Sequence, residues 1–426
     1  MNTPWQVSKV KLKFSYYINS GLMLFLLAST FSHAQQAGHE PLEKISSLSF
    51  EEIFNHALNN APETLERTVR QQQAKAYEAI EDSWITGRPN LVINYLDDAL
   101  FDDIGQREID YAIQLQLKRP SERNNGRLLS DSYQSQISAW EQALQHYIAG
   151  RVRNSLADIA EADTLLSLER QATLTTEELL DITSTLFDAG ELARLDVMQV
   201  ENLLLEQRQI ELETEALLID AERAYEVLTG LHVRPDYTYT ETRVAEEDIL
   251  SSHPQLLYLQ SDINLADVNI LVSEANARGA PTVSLGAARQ RGSFMQNGNN
   301  NLTLSLSIPF GAKNIVSSQT STARRNKVDA EVLYQNTLRS LDLALHEVEH
   351  ELFITNEAIL MAEERSQLAE QSWQMSRIAF AQGELTLAQV TPSLQAYLNA
   401  QKEVQLLLLR KERLITEYNQ TIGVIP

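Results

Sequence analysis

His346-Glu347-Val348-Glu349-His350 fits the pattern H-E-x-x-H. On a helix that spacing puts two imidazoles on one face, one turn apart, with the glutamate as general base, the arrangement of zinc hydrolases. The chemistry also needs a third protein ligand. Glu370 stands 20 residues beyond His350 (370 − 350), a spacing that some zinc proteases use. Yet neither Gly nor Pro occurs between Gly311 and Gly383. The segment therefore reads as one straight helix, on which Glu370 lies roughly 30 Å from His350. The residue before Glu370 is Ala369, not the asparagine of the usual motif. The expectation is no catalysis, no cofactor and no assigned metal site. The pair reads as two exposed histidines on an acidic helix, with incidental divalent-cation binding as the alternative.

A second constellation is made of carboxylates. Glu177 and Glu370 stand 193 positions apart (370 − 177), and Asp181 follows Glu177 by four residues. Three copies of the chain around an axis would set Glu177 and Glu370 in one ring of six carboxylates, with Asp181 as a second layer. Such rings select cations electrostatically. A solvated helix face is the plain alternative.

The offset of 193 is not confined to these glutamates. Phe187 to Val197 and Phe380 to Val390 both read F-x-x-G-E-L-x-x-x-x-V, with Gly190 and Gly383 again 193 apart (383 − 190). Gly230 and Gly423 differ by 193; Pro62 and Pro254, like Pro89 and Pro281, differ by 192. One offset, held within a residue by landmarks of different type, predicts an internal duplication. Each F-x-x-G-E-L follows one long polar–apolar run and precedes another, the signature of a turn between helices.

The elements follow in the same order in both halves. Ser49 and Glu52 form a capping box for a helix running to about Trp84, broken at Ala61-Pro62 and stopped by Gly87-Arg88-Pro89. Strands are expected at Leu91–Tyr95 and at Tyr111–Leu117, where the apolar residues alternate. A loop over 97–107 lies between them. A very long helix over 121–187, interrupted at Gly126 and Gly150, leads to the first turn, and a return helix ends at Gly230. A polar linker, 232–252, separates the halves. The second half opens at Ser252-His253-Pro254 and repeats the series: strands at Thr282–Gly286 and Leu302–Ile308 around a loop over 290–301, then a helix of about 70 residues, or about 100 Å. Helices of that length cannot be buried in a compact domain. Their apolar positions, mixed with Glu and Gln, suit a tube wall with neighbours on two sides and water on a third.

Composition narrows the partners. Lys9, Lys11 and Lys13, the apolar run Gly21–Ala28 and Ser32-His33-Ala34 have the order of a signal peptide. The 426 residues contain no cysteine, so an exported chain would carry no disulfide and no lipid-acceptor thiol. A net charge of −23 repels phosphate backbones and excludes nucleic acid as a natural partner. Two strands per half make four. In lipid four strands cannot close a barrel, and an open edge leaves backbone groups unpaired. Several copies would have to share one barrel, and three would supply twelve strands.

These features together resemble the TolC family of outer-membrane efflux channels. The resemblance covers the chain beyond the leader and rests on the duplicated halves, the twin F-x-x-G-E-L turns, the closing Leu228-Thr229-Gly230 and Thr421-Ile422-Gly423, and Ser307-Ile308-Pro309-Phe310 after the last strand. His253-Pro254 and the Leu306-to-Phe310 run are similar to the heavy-metal cation efflux branch. The family implies a mainly α protein with a small β membrane part: long hairpins forming an α-barrel, and four strands per chain contributing to a trimeric twelve-stranded β-barrel. It further implies a homotrimer in the outer membrane, in contact with its lipid and extending into the periplasm. Such a trimer joins an inner-membrane pump through a periplasmic adaptor protein. The adaptor and pump would dock at the hairpin tips, which are Gly190, Glu191, Leu192, Gly383, Glu384 and Leu385. Glu177, Asp181 and Glu370 would form the pore constriction. The expected division is signal peptide 1–34, first repeat 35–230, linker or equatorial segment 231–251 and second repeat 252–426. A periplasmic coiled-coil adaptor without a pore is the rival reading, and it would not need the strict strand alternation. Pro392, where the first half has Gln199, departs from the repeat and is expected to distort the last helix.

Overall fold

A computed structural model describes residues 40–426 apart from 82, 247, 312 and 426; the expected signal peptide lies outside the described residues. Four helices set the frame. The two longest, α3 (Pro120–Asp188) and α6 (Lys313–Ala381), have 69 residues each, and their return partners α4 (Arg194–Thr229) and α7 (Leu387–Ile422) have 36 each. Gly126 and Gly150 do not interrupt α3. At Gly150 the missing side chain makes room for Gln420 of α7, which a Cβ there would meet at 2.9 Å.

Shorter helices extend the return arms toward the strands. In the first half these are α1 (Phe50–Asn60) and α2 (Thr64–Glu81). The capping box is present, with Ser49 Oγ accepting from the Glu52 N–H at 3.2 Å and Glu52 accepting from the Ser49 N–H at 2.9 Å. Asn60, ending α1, donates to the Val227 and Leu228 carbonyls in the last turn of α4. Those carbonyls have no helical donors of their own, so the cap ties the two helix ends together. In the second half α5 (Pro254–Ala277) begins where α7 ends: His253 is its N-cap, Pro254 its first residue, and Leu250 N–H donates to Ile422 O at 3.1 Å. Helix α3 packs against α2 and α4, α6 against α5 and α7, and the halves meet through α3–α5 and α3–α7. That order leaves α6 at one side of the chain and α2 with α4 at the other.

The strands β2 (Ile85–Asp97), β3 (Arg107–Leu117), β5 (Thr282–Arg291) and β6 (Asn299–Ser307) form one antiparallel sheet in that order. Two features differ from expectation. Gly87-Arg88-Pro89 does not stop a helix, because α2 ends at Glu81; it sits at a register shift inside β2, where a proline's missing N–H is tolerated. The strands also run further than their apolar runs, so the second loop shrinks to 292–298. Two three-residue strands were not foreseen. β1 (Glu43–Ile45) and β4 (Val233–Pro235) pair in parallel and clasp the segment before α1 to the linker. Arg234 meets Glu222 at 2.5 Å and Asp163 at 3.0 Å, and Lys44 reaches Asp163 at 2.9 Å.

Packing forms three apolar clusters strung along the rod. One joins α1, α3 and α4 around Ile53, Ile148, Val152 and Tyr225. One fills the hairpin ends, and a third joins α6 and α7 around Leu345, Leu414 and Tyr418.

Candidate functional site

Each hairpin closes in the same way. Gly190 and Gly383 adopt φ of 81° and 74°, the left-handed region that glycine enters without a Cβ penalty. Gly190 N–H donates to Phe187 O at 2.8 Å and Glu191 N–H to Leu186 O at 2.9 Å; Gly383 and Glu384 repeat this with Phe380 and Ala379 at 3.0 and 2.9 Å. This is the Schellman pattern, which satisfies the last carbonyls of a helix and turns the chain. The return helices start alike. Asp196 accepts from the Ala193 N–H at 3.1 Å, and Gln389 accepts from the Thr386 N–H at 3.0 Å.

The two ends are held side by side. Leu179, Val200, Trp373, Phe380, Leu387, Val390 and Leu394 are buried in one cluster drawn from all four helices, with Leu192 and Leu385 packed against it. The Glu191 carboxylate lies 3.3 Å from where a Cβ on Gly383 would stand. Gly190, Glu191, Gly383 and Glu384 are exposed, while Leu192 and Leu385 are half-buried. The six tip residues therefore form a single acidic edge on an apolar base.

Of the candidate constriction residues, Glu177 and Glu370 sit 13 positions before their tip glycines (190 − 177, 383 − 370), about 20 Å up the helices, and Asp181 sits nine before Gly190 (190 − 181). Their surroundings differ. Glu177 on α3 pairs with Arg208 of α4 at 2.7 Å. Glu370 on α6 accepts from Gln374 at 3.2 Å, and the position equivalent to Arg208 is Gln401, which donates instead to the Tyr397 hydroxyl. Asp181 is exposed on the same ridge as Glu177. Within one chain Glu177 and Glu370 are not brought together.

Higher up lies a polar cluster that sequence reasoning missed. Arg153, with 2% of its side chain exposed, makes a two-pronged pair with Glu241 at 2.7 and 3.2 Å. It also donates to Gln420 at 2.5 Å, while Asn419 donates to Glu241 at 2.8 Å. Burial pushes the Glu241 carboxyl up, but hydrogen bonds from Arg153, Asn419 and Tyr239 hold it below its ordinary value. Beside it His146 and His253 meet edge to face at 5.0 Å. Burial lowers both imidazoles, His253 to about 4. Glu241, His253, α3 and the end of α7 meet here, so no local pattern announces the cluster. It is a structural joint.

At the other end, the sheet has a two-sided character. Leu91, Ile93 and Tyr95 of β2 stand in register with Ile113, Tyr111 and Ile109 of β3; Leu115, Ile113 and Tyr111 face Val283, Leu285 and Ala287 of β5; and these face Leu306, Leu304 and Leu302 of β6. One face is thus apolar across all four strands and mostly exposed, with Leu304 at 72%. The opposite face carries Asn94, Gln114, Ser284, Thr303 and Ser305. Neither β2 nor β6 has a partner on its outer edge among the described residues. No helix of the described residues is long and apolar enough to cross a membrane.

No protein-family profile matches the chain, and no curated protein matches it in sequence. Among solved structures it is similar to CusC, studied for folding and transmembrane channel formation, with a TM-score of 0.71 and 14% identity over 92% of this chain and 96% of that one. It is similar to the outer membrane protein VceC of Vibrio cholerae, with a TM-score of 0.70 and 14% identity over 88% and 96%. The Campylobacter jejuni outer membrane channel CmeC gives 0.68 and 14% over 88% and 85%. The chain shares their fold. It is mainly helical with a small four-stranded sheet, as the resemblance implied for the single chain.

Proposed function

We propose that the protein is an outer-membrane channel of a tripartite efflux system, built as a homotrimer of internally duplicated chains. The observation that carries this reading is the sheet, apolar on one face, polar on the other and unpaired at both edges. A soluble protein rarely exposes so continuous an apolar face. In lipid the face is satisfied, and the open edges must be closed by other copies. The strands have 9 to 13 residues, the length that crosses a bilayer when tilted. Three copies joined β6 to β2 make a twelve-stranded barrel with the polar face lining the lumen.

The helices support the same closure. On α6 Ile354, Met361, Leu368 and Met375 are exposed at seven-residue spacing, and on α4 so are Met198, Leu205 and Leu212, the seam pattern of helices awaiting a partner. Helix α6 follows β6 directly, and α4 packs on α3 as does α2, which leads into β2. Head-to-tail contact around a threefold axis covers both stripes and gives a twelve-helix tube through the periplasm. The substrate passes along the lumen from an inner-membrane pump and periplasmic adaptor, which dock on Gly190, Glu191, Leu192, Gly383, Glu384 and Leu385. Glu177, Asp181 and Glu370 lie near that entrance as the constriction. The division into 35–230, 231–251 and 252–426 follows the repeat. No bond is broken in this role, and no cofactor is required.

Cell fractionation with semi-native electrophoresis tests the reading. A heat-modifiable trimer in the outer-membrane fraction is expected; a soluble periplasmic monomer would overturn it in favour of a poreless adaptor.

A further inference from the structure

The H-E-x-x-H stretch is left unused by a channel, and its geometry has a use of its own. His346 and His350 are both exposed on α6, with ring centroids 6.2 Å apart and planes within 24°. They stand like two parallel prongs one turn apart. Helix α6 is unbroken on either side, so the backbone spacing of the pair is set before any ligand arrives.

The electrostatic setting favours a cation. Between Arg339 and Arg365 the helix has no Lys or Arg, while Asp342 and Glu347 flank the histidines. Asp342 precedes His346 by four residues and so lies on the same ridge. Glu349 and Glu351 are engaged elsewhere, with Arg243 at 3.0 Å and Arg410 at 2.6 Å. Those two pairs keep the adjacent guanidinium groups turned onto carboxylates rather than onto the imidazoles.

Two imidazoles at i and i+4 offer two neighbouring nitrogen ligands and leave the other coordination positions to water. Such a donor set suits borderline divalent transition metals, and the Irving–Williams order places Cu2+ above Ni2+ and Zn2+. Hard cations such as Mg2+ and Ca2+ prefer oxygen ligands. With two protein nitrogens, and with no group of three or more His, Asp or Glu placed to hold a metal among the described residues, a bound metal is exchangeable, neither a structural zinc nor a hydrolytic centre.

We propose that His346 and His350 form a two-nitrogen chelating site for a divalent transition-metal ion, Cu2+ foremost, on the surface of α6.

The experiment titrates untagged, metal-stripped, full-length protein with Cu2+, following binding by calorimetry and the one-equivalent complex by electron paramagnetic resonance. One strong site per chain with two imidazole nitrogens is expected. His346→Gln and His350→Gln should each weaken it by more than about tenfold, since even indirect partners of a metal are worth about 10–100-fold. His232→Gln, at an exposed histidine outside the pair, should leave it unchanged. A strong site that survives either substitution in the pair, or a spectrum with a single imidazole nitrogen, overturns the proposal. Circular dichroism of each variant separates loss of the site from loss of the fold.

Discussion

At the scale of single residues, His253 carries the clearest consequence. Its side chain is fully buried, its Nδ1 accepts from the Gln255 N–H, and burial holds its pKa down at about 4 against an ordinary 6.5. The unfolded chain therefore takes up a proton below pH 6.5 that the folded chain refuses until about pH 4. Stability is complete above the unfolded value and falls as pH drops through that window, by on the order of 3 kcal/mol. Urea denaturation at pH 7 and pH 4.5 should show the loss, and His253→Asn, which keeps a capping side chain without titrating, should shrink it. The glycines offer a second contrast. A Cβ at Gly190 meets nothing within 4 Å, whereas at Gly423 it would stand 2.8 Å from the His253 ring. Gly190→Ala should cost about 1–2 kcal/mol for its backbone conformation alone, and Gly423→Ala measurably more by the same denaturation assay.

At the scale of elements, paired helices that look equivalent prove to be differently charged. Glu177 and Glu370 stand 193 positions apart, as the two tip glycines do, but Arg208 compensates only the first. In planar bilayers Glu370→Gln should therefore reduce cation preference more than Glu177→Gln does. An unchanged preference in the double variant would remove the constriction from these residues. The hairpin ends should also tolerate change unequally. Trp373 is buried in the cluster that binds the two ends together and stacks on Tyr397 at 6.5 Å. Trp373→Ala should destabilise that end by about 3–5 kcal/mol, seen as faster local hydrogen exchange before any loss at the sheet.

The hairpins were legible because their signals are local and long: a 3.6-residue period, a glycine where the chain turns, and an offset shared by distant landmarks. What escaped was short or assembled from afar. β1 and β4 have three residues each, too few to show a period of two. Gly87-Arg88-Pro89 reads as a helix stop because a bulge and a terminus use the same residues. Arg208 could not be assigned to Glu177, since many arginines and glutamates on adjacent helices satisfy the same composition. Pro392, expected to distort α7, lies in its second turn with the helix continuing on both sides.

At the scale of the whole molecule, the sheet makes a prediction by contrast between its faces. Leu304 and Ser305 are neighbours on β6, one on the apolar face and one on the polar face. Leu304→Arg should impair outer-membrane assembly, by about 2–4 kcal/mol if the position sits at the membrane midplane, while Ser305→Arg should assemble and alter conductance. Trimer yield after heat-modifiability electrophoresis measures the first, and single-channel current the second.

The unpaired outer edges of β2 and β6 bear on inheritance as well as on structure. If each copy must complete its neighbour, one faulty copy leaves a gap that two sound copies cannot bridge. A variant broken at either edge strand, expressed beside the normal chain, would spoil every ring it enters and so most of the rings made. Its effect on the cell would be dominant, although the lesion is a simple loss of pairing.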